Sequence, residues 1–234
     1  MTRYAASMGQ MITFPSNGST AGGYLALPAS GVGAGVVLIQ EWWGLVPHIK
    51  SVADRLAEVG FATLAPDLYH GEETVELDEA DKLMMALQLP TAARDMVGAV
   101  EYVGTLDTHP SDRVGVIGFC MGGGLALWLS TLSGQVAACV PFYGAVPWQA
   151  VQPDYTKSVA AYLGHYAAHD DWATPEEAAR LETELTGVGR EARFHVYPGT
   201  SHAFFNDDRP DSYDAAAAEL AWERTIGFLR RHLG

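Results

Sequence analysis

The sequence is poor in cysteine, with only Cys120 and Cys139 among its 234 residues. Secreted domains that depend on disulfides are usually smaller and much richer in cysteine, so a disulfide-built scaffold is excluded. The opening residues, MTRYAASMGQMITFP, contain one arginine but no compact apolar core, and we identify no secretory signal in them. Two thiols without a leader segment predict a reducing, cytoplasmic location.

Long hydrophobic runs and basic residues are also scarce. The apolar stretch 136–148 is broken by Pro141, Gly144 and Pro147, and no run approaches the roughly 18 residues of a membrane span. The 14 Lys and Arg residues against 28 Asp and Glu residues give a formal charge of −14. An acidic chain without a basic cluster repels phosphate backbones and acidic lipids, so we expect neither nucleic acid nor a membrane as a partner.

The chain does contain enough apolar material for one sizeable core. Hydrophobic residues make up 48% of it, which excludes a disordered chain. Because we find no internal repeat, low-complexity tract or long polar linker, we predict one domain over residues 1–234. The segment 10–28 alternates apolar and polar residues around Asn17-Gly18, and this pattern predicts an N-terminal β-hairpin.

Beyond the hairpin, short apolar runs alternate with amphipathic stretches. Strands are predicted at 35–40, 61–65, 113–118, 136–142, 158–166 and 193–197, and helices at 49–59, 78–88, 91–105, 122–133, 176–187 and 214–233. Such alternation predicts an α/β fold with a mostly parallel central sheet and helices on both faces. Ligands of these sheets collect at the carboxyl ends of the strands, so the residues that follow each strand are the candidates for chemistry.

A glycine-rich turn follows the predicted strand at 113–118. Its residues, from Gly118 through Cys120 to Gly122, form the pattern G-x-C-x-G, a nucleophile elbow with cysteine in place of serine. The turn is so tight that the central residue is strained and the flanking positions accept only glycine. Cys120 would then lie at a helix N-terminus, where backbone N–H groups favour a thiolate and an oxyanion. The alternative interpretation of this segment is a structural turn with a buried cysteine. The other cysteine, Cys139, lies in an apolar predicted strand, and we expect it to pack in the core.

Elbow enzymes carry their remaining catalytic residues in the order acid, then histidine. Asp170 and Asp171 follow the predicted strand at 158–166, and His202 follows the strand at 193–197. Asp170 is favoured as the acid because it leaves the strand first, whereas Asp171 could cap the next helix. A metal site built on His165, His169 and Asp170 lacks a further ligand at suitable spacing, and we predict none.

The other histidines are assigned structural or surface positions. We expect the strand residues His165 and His195 to pack against their neighbours. The remainder are predicted to lie on the surface, and they are His48, His70, His109 and His232.

Glu41 directly follows the first central strand and is flanked by tryptophan. A carboxylate at this edge would be partly desolvated and could take the proton of the Cys120 thiol, although a loop-capping role is the alternative. The backbone N–H of Trp42 could join that of Met121 in an oxyanion hole.

Several of these segments together resemble the dienelactone hydrolase family, from about residue 10 to the end. They are the elbow 118–122, the strand end Gln40-Glu41, the PDLY segment 66–69, the Asp170 loop and the GTSHAFF segment 199–205. The resemblance implies a single-domain α/β-hydrolase fold without a metal or organic cofactor. It also implies a Cys120–His202–Asp170 triad with Glu41 as a fourth member, in which substrate binding moves the glutamate so that it deprotonates the cysteine and an acyl-thioester forms.

One departure from the family affects the substrate. Family members grip a substrate carboxylate with two arginines, but this chain has an acidic stretch near 76–78 and Asn206 in their places. The nearest cations, Arg209 and Arg94, do not align with them. We therefore expect a neutral lactone or activated ester that packs against aromatic residues, with Arg209 as the alternative carboxylate anchor. The predicted aromatic contacts are Trp42, Trp43, Tyr143 and Phe204.

Two other functions remain open at this stage: a broader carboxylesterase or thioesterase of the same fold, and a non-catalytic small-molecule binding module. The triad order argues against the binding module, because a binder has no need of it. We expect a monomer or a weak homodimer.

Overall fold

The computed structural model describes residues 9–31, 33–106 and 113–234. Its strands are β1 (Gln10–Ser16), β2 (Ser19–Ala26), β3 (Gly35–Ile39), β4 (Ala62–Pro66), β5 (Val114–Phe119), β6 (Val136–Phe142), β7 (Ala161–His169) and β8 (Ala192–Ser201). Its helices are α1 (Pro47–Glu58), α2 (Leu77–Ala86), α3 (Leu89–Gly104), α4 (Met121–Leu132), α5 (Pro175–Gly187) and α6 (Ala215–Leu233). None of the helices in these described ranges is long and apolar enough to cross a membrane.

The eight strands form one sheet in the order β1-β2-β4-β3-β5-β6-β7-β8. β1 and β2 are an antiparallel hairpin, and β2 also runs antiparallel to β4. From β4 to β8 all neighbours are parallel. The predicted α/β class, the mostly parallel sheet and the N-terminal hairpin are confirmed.

The central strands of this sheet lie in the core of the protein. Every residue of β3, β4, β5 and β6 is buried. Because successive side chains point to opposite faces of a sheet, complete burial requires cover on both faces. That cover is helical: α3 packs against β1, β3 and β4, α4 packs against β5 and β6, and α6 packs against β6 and β7.

Several element boundaries differ from those predicted. Pro90 lies in the first turn of α3 instead of ahead of it, because a proline there removes no helical hydrogen bond. β8 continues to Ser201, four residues beyond its predicted end, and β7 continues to His169. In the β7–β8 register His169 is paired with Ser201. The two residues that follow, Asp170 and His202, therefore leave the sheet side by side.

Candidate active site

Cys120 lies at the junction between β5 and α4 in a strained backbone conformation. Its φ is 55° and its ψ is −120°, in a region that side chains rarely adopt. A Cβ on Gly118 would collide with the carbonyl oxygen of Gly122, and one on Gly122 would collide with the carbonyl oxygen of Gln40. The junction thus has the backbone geometry of an elbow. Gly118 is needed because the turn closes on itself there, and Gly122 is needed because α4 begins directly against the end of β3.

The Cys120 side chain borders a cavity of about 600 Å³ at the carboxyl edge of the sheet. The loop after β3, the helix α2 and the loops after β7 and β8 enclose this cavity. Its lining includes Glu41, Trp42, Trp43, Leu77, Asp81, Met84, Cys120, Asp170, Trp172, His202 and Arg209. The fold therefore brings all four predicted catalytic side chains to one cavity, as expected for loops that follow parallel strands.

The Cys120 thiol is held in its neutral form. Burial raises its pKa well above the ordinary value, and the nearby Glu41 and Asp170 add to this effect. The backbone N–H groups of Met121 and Trp42 act in the opposite direction, because both donate toward the sulfur. The two N–H groups predicted for the oxyanion hole therefore lie next to the Cys120 sulfur.

His202 is paired with Asp170 and not with Asp171. Its Nδ1 lies 2.7 Å from Asp170 Oδ2, and the other carboxylate oxygen accepts the N–H groups of Trp172 and Ala173 at 2.9 Å each. Burial raises the Asp170 pKa, but the hydrogen bonds and the charge of His202 outweigh it, so the pKa is lowered overall. Asp171 is exposed. An ionised Asp170 fixes the tautomer of His202 with Nε2 free to move a proton.

Glu41 is a buried carboxylate that is hydrogen-bonded to Asn206. It is 1% exposed, and its Oε2 accepts a 2.7 Å hydrogen bond from Asn206 Nδ2. The amide orientation is fixed because Asn206 Oδ1 accepts the N–H of Asp208 at 3.0 Å. Burial raises the Glu41 pKa, although His48, His202, Asn206 and Arg209 all oppose that rise. The sequence indicates Asn206 only as a missing arginine, so its contact with Glu41 is a finding of the structure.

Two of the four aromatic residues predicted to contact substrate lie elsewhere. Trp42 and Trp43 line the cavity, but Tyr143 and Phe204 do not. Both are fully buried, with the Tyr143 ring 4.9 Å from that of His202 and 5.6 Å from that of Phe204. As a correction to the sequence-based prediction, the Tyr143 ring packs against His202 and the Phe204 ring packs against Tyr143, so neither lines the cavity. The pattern of the sequence cannot separate a ring on the wall of a cavity from one packed directly beneath it.

Of the two candidate cations, only Arg209 lies at the cavity. Its guanidinium carbon is 3.7 Å from the centroid of the Trp43 ring. Arg94 instead donates to Thr91 on the exposed side of α3. Arg209 therefore already lies at the wall of the cavity.

The histidines divide differently from the prediction. His48, predicted to lie on the surface, is 2% exposed in the first turn of α1, and its Nδ1 is 3.0 Å from Asp207 Oδ1. His165 is buried in β7 as predicted, and His109 lies outside the described residues. Within the described ranges, no group of three or more His, Cys, Asp or Glu side chains is arranged to hold a metal ion.

Comparison with known proteins gives a consistent result. The profile of the "Dienelactone hydrolase family" matches residues 21–233. "Protein usf" of Aquifex pyrophilus is 33% identical, and "Putative carboxymethylenebutenolidase" of Aquifex aeolicus is 32% identical; each alignment covers 97% of this chain and 100% of the relative. A solved dienelactone hydrolase-like promiscuous phosphotriesterase from metagenomic libraries superimposes with a TM-score of 0.86 at 22% identity, covering 98% of this chain and 100% of that one. This last similarity shows the fold.

Proposed function

Because the chain belongs to the dienelactone hydrolase family and is a hydrolase of esters or lactones, we propose that it works through Cys120 and an acyl-thioester intermediate. The observation that carries the proposal is the strained elbow cysteine, which shares one cavity with a hydrogen-bonded His202–Asp170 pair and with the buried Glu41. These are the nucleophile, the acid–base pair and a candidate base for thiol activation.

In the proposed acylation, the Glu41 carboxylate takes the proton of the Cys120 thiol when substrate is bound. The sulfur attacks the carbonyl carbon, and the N–H groups of Met121 and Trp42 stabilise the oxyanion. When this intermediate collapses, the C–O bond of the ester breaks. The leaving oxygen takes the proton that Glu41 carries, so Glu41 becomes a carboxylate again. The alcohol or enol product leaves the cavity, except in a lactone, where it remains joined to the acyl group.

In deacylation, His202 removes a proton from water, and the hydroxide attacks the thioester carbonyl. Asp170 stabilises the imidazolium that forms. The C–S bond then breaks, the acid is released, and the thiolate takes the proton from the His202 imidazolium, so that Cys120 returns to its neutral resting form and His202 to neutral imidazole. Each cycle consumes one water and needs no other reactant.

The proposal is tested with the nucleophile removed. We expect Cys120→Ala to abolish hydrolysis across a panel of enol-lactones, aryl esters and acyl thioesters, because loss of a nucleophile costs about four orders of magnitude or more. Cys139→Ala is the matched control: Cys139 is fully buried in β6, so this variant should lose stability but keep its turnover. If Cys120→Ala retains more than about a tenth of the rate, Cys120 is not the nucleophile.

The same panel separates the alternatives. Preference for enol-lactones supports the lactonase form of the proposal, whereas preference for aryl esters or thioesters indicates the broader esterase or thioesterase. Binding of panel compounds with no turnover by the wild type would indicate the binding module.

A further inference from the structure

A second cavity lies beside the one that contains Cys120. Its volume is about 890 Å³, and it is bounded by the first turn of α1, the segment 73–75 before α2 and the loop after β8. Trp43, Arg209 and Ser212 line both cavities. These three residues therefore form a shared wall between the two spaces.

Trp43 is the fixed part of this wall. It is 6% exposed, and its ring packs edge-on against that of Trp42, with the two ring centroids 5.0 Å apart. Its carbonyl oxygen accepts the N–H of Thr74 at 2.9 Å, and the next residue, Gly44, forms a β-bridge with Glu73. Both the ring and the backbone of Trp43 are thus held by their neighbours.

Arg209 is fixed in its backbone, whereas its side chain is held more loosely. Its N–H donates to the carbonyl oxygen of Asn206 at 3.0 Å, and its own carbonyl oxygen accepts the N–H groups of Ser212 and Tyr213 at 3.0 and 2.9 Å. The guanidinium carbon lies 3.7 Å from the centroid of the Trp43 ring. A cation–π stack holds a partly exposed arginine only weakly, so the side chain can rotate off the ring while the loop stays in place.

The lining of the second cavity indicates which chemical groups it suits. It combines apolar side chains with carboxylates, and it includes Val46, Pro47 and Pro210 together with Glu73, Asp208 and Asp211. Carboxylates repel an anion, and apolar surface favours the burial of alkyl or aryl groups. The cavity therefore suits an uncharged and largely apolar part of a substrate.

Asn206 connects the second cavity to the proposed catalytic machinery. It lines the second cavity, and its Nδ2 donates at 2.7 Å to Glu41, which lines the first. A ligand group in the second cavity would therefore lie one residue away from the proposed base.

We propose that the second cavity is a subsite for the distal part of a neutral ester, and that Arg209, stacked on Trp43, is the gate that determines whether a substrate reaches it. With the stack in place, the cavity at Cys120 is closed on this side, so compact lactones and short esters are preferred. A longer substrate must displace the guanidinium from the ring before its far end enters the subsite. The inference rests on the proposed function only in placing the reaction at Cys120.

The test compares neutral substrates of different length on the wild type and on Arg209→Ala. The acyl part grows from p-nitrophenyl acetate to p-nitrophenyl octanoate, and the alcohol part grows from ethyl acetate to hexyl acetate. In Arg209→Ala we expect the ratio of kcat/KM for the long substrate to that for the short one to rise by about tenfold or more in at least one series. The reason is that the distal chain buries apolar surface in a space that the stack closes in the wild type.

Two further variants sharpen the comparison. Arg94→Ala is the matched control, because Arg94 lies on the exposed side of α3, away from both cavities, and its ratio should equal that of the wild type. Thr74 lines the second cavity but not the first. Adding Thr74→Trp to Arg209→Ala should therefore fill the subsite and return the ratio to the wild-type value.

An unchanged ratio in both series for folded Arg209→Ala overturns the proposal, and so does an equal change in kcat/KM for short and long substrates. A ratio that stays raised after Thr74→Trp is added shows that the chain lies elsewhere and overturns the subsite. If Arg209→Ala does not fold, Arg209→Gln gives the same test, because glutamine is shorter and carries no cation to stack on Trp43. A raised ratio in Arg209→Ala combined with full activity of Cys120→Ala would instead contradict Cys120 as the nucleophile and leave the gate standing.

Discussion

At the scale of single residues, Glu41 affects the stability of the fold, and it is also the proposed base for the Cys120 thiol. Burial raises its pKa above the ordinary value of a glutamate, so the folded protein binds the proton more tightly than the unfolded chain does. A raised pKa contributes stability that is fully present below the unfolded value and is lost as the pH rises toward the folded value. Glu41 therefore contributes less to the stability of the fold at neutral pH than it does in acid.

We accordingly expect Glu41→Gln to be more stable than the wild type at pH 7, by about 1–2 kcal/mol, while its acylation is slowed. Glutamine keeps an oxygen to accept the Asn206 hydrogen bond, so the packing is preserved. Thermal unfolding at pH 7 and at pH 4 measures this, and the gain should shrink at pH 4, where Glu41 is mostly protonated in both states. A Tm at pH 7 that falls in the variant would contradict the expectation.

The resting Cys120 thiol should react slowly with alkylating agents. Burial, Glu41 and Asp170 all raise its pKa, so little thiolate is present near neutral pH. Labelling with iodoacetamide at pH 7, followed by mass spectrometry of the Cys120 peptide, measures the rate. Rapid labelling of the resting wild type would favour a permanent Cys120–His202 ion pair and argue against activation by Glu41.

At the scale of elements, the junction of β5 and α4 depends on glycine. A Cβ on Gly122 would collide with the carbonyl oxygens of Ile39 and Gln40, which are backbone atoms at the end of β3 and cannot move independently of the sheet. We expect Gly122→Ala to lower the free energy of unfolding by about 2–4 kcal/mol and to misplace Cys120.

The matched control for that junction is Gly134→Ala, since a Cβ on Gly134 meets nothing within 4 Å. Urea unfolding of both variants gives the comparison. Equal stability of the two variants would show that the junction tolerates a side chain and that the elbow is less tight than the structure indicates.

A second feature at this scale is the loop after β8, whose side chains contact several different parts of the site. Within residues 202–209 it supplies His202 to Asp170, Asn206 to Glu41, Asp207 to His48 and Arg209 to Trp43. Because one short segment holds four side chains in register, a change in its backbone is expected to disturb the triad and the base together.

At the scale of the whole molecule, electrostatics should oppose an anionic substrate. The protein carries a formal charge of −14. Among the described residues, the cavity lining includes the carboxylates Glu41, Asp81, Asp170 and Asp171 and one arginine, Arg209. Such a field slows the approach of an anion unless a local cation compensates. We therefore expect neutral lactones or esters to react at least as well as substrates that carry a carboxylate.

The measurement is kcat/KM for a dienelactone and for its methyl ester, on the wild type and on Arg209→Ala. Arg209 stacks on Trp43 within the cavity, so it is placed to bind a carboxylate there. A strong preference for the free acid that disappears in Arg209→Ala would overturn the expectation and identify Arg209 as the carboxylate anchor. A lost bidentate contact of this kind costs on the order of a hundredfold in rate.

Much of the fold follows from local patterns in the chain. Strand–helix alternation predicts the parallel sheet, and the Asn17-Gly18 turn predicts the hairpin, because periodicity and turn chemistry act over a few residues. The elbow around Cys120 can also be predicted from local sequence, because one tight turn imposes the spacing of its glycines and its cysteine. Asp170 and His202 each follow a strand of the parallel sheet, and they come in the chain order of elbow enzymes. The sequence therefore also identifies them as candidate catalytic residues.

What only the tertiary structure decided are the contacts between distant segments. The β7–β8 register pairs His169 with Ser201 and so selects Asp170 over Asp171, a choice that local sequence leaves open. His48 lies 159 residues from Asp207, and Glu41 lies 165 residues from Asn206, so no local pattern could reveal either contact. Local sequence determines which helices and strands form and which residues are able to react. The burial of each side chain and its hydrogen-bond partners depend on how those elements pack. Burial and partners in turn set the pKa of each titratable group.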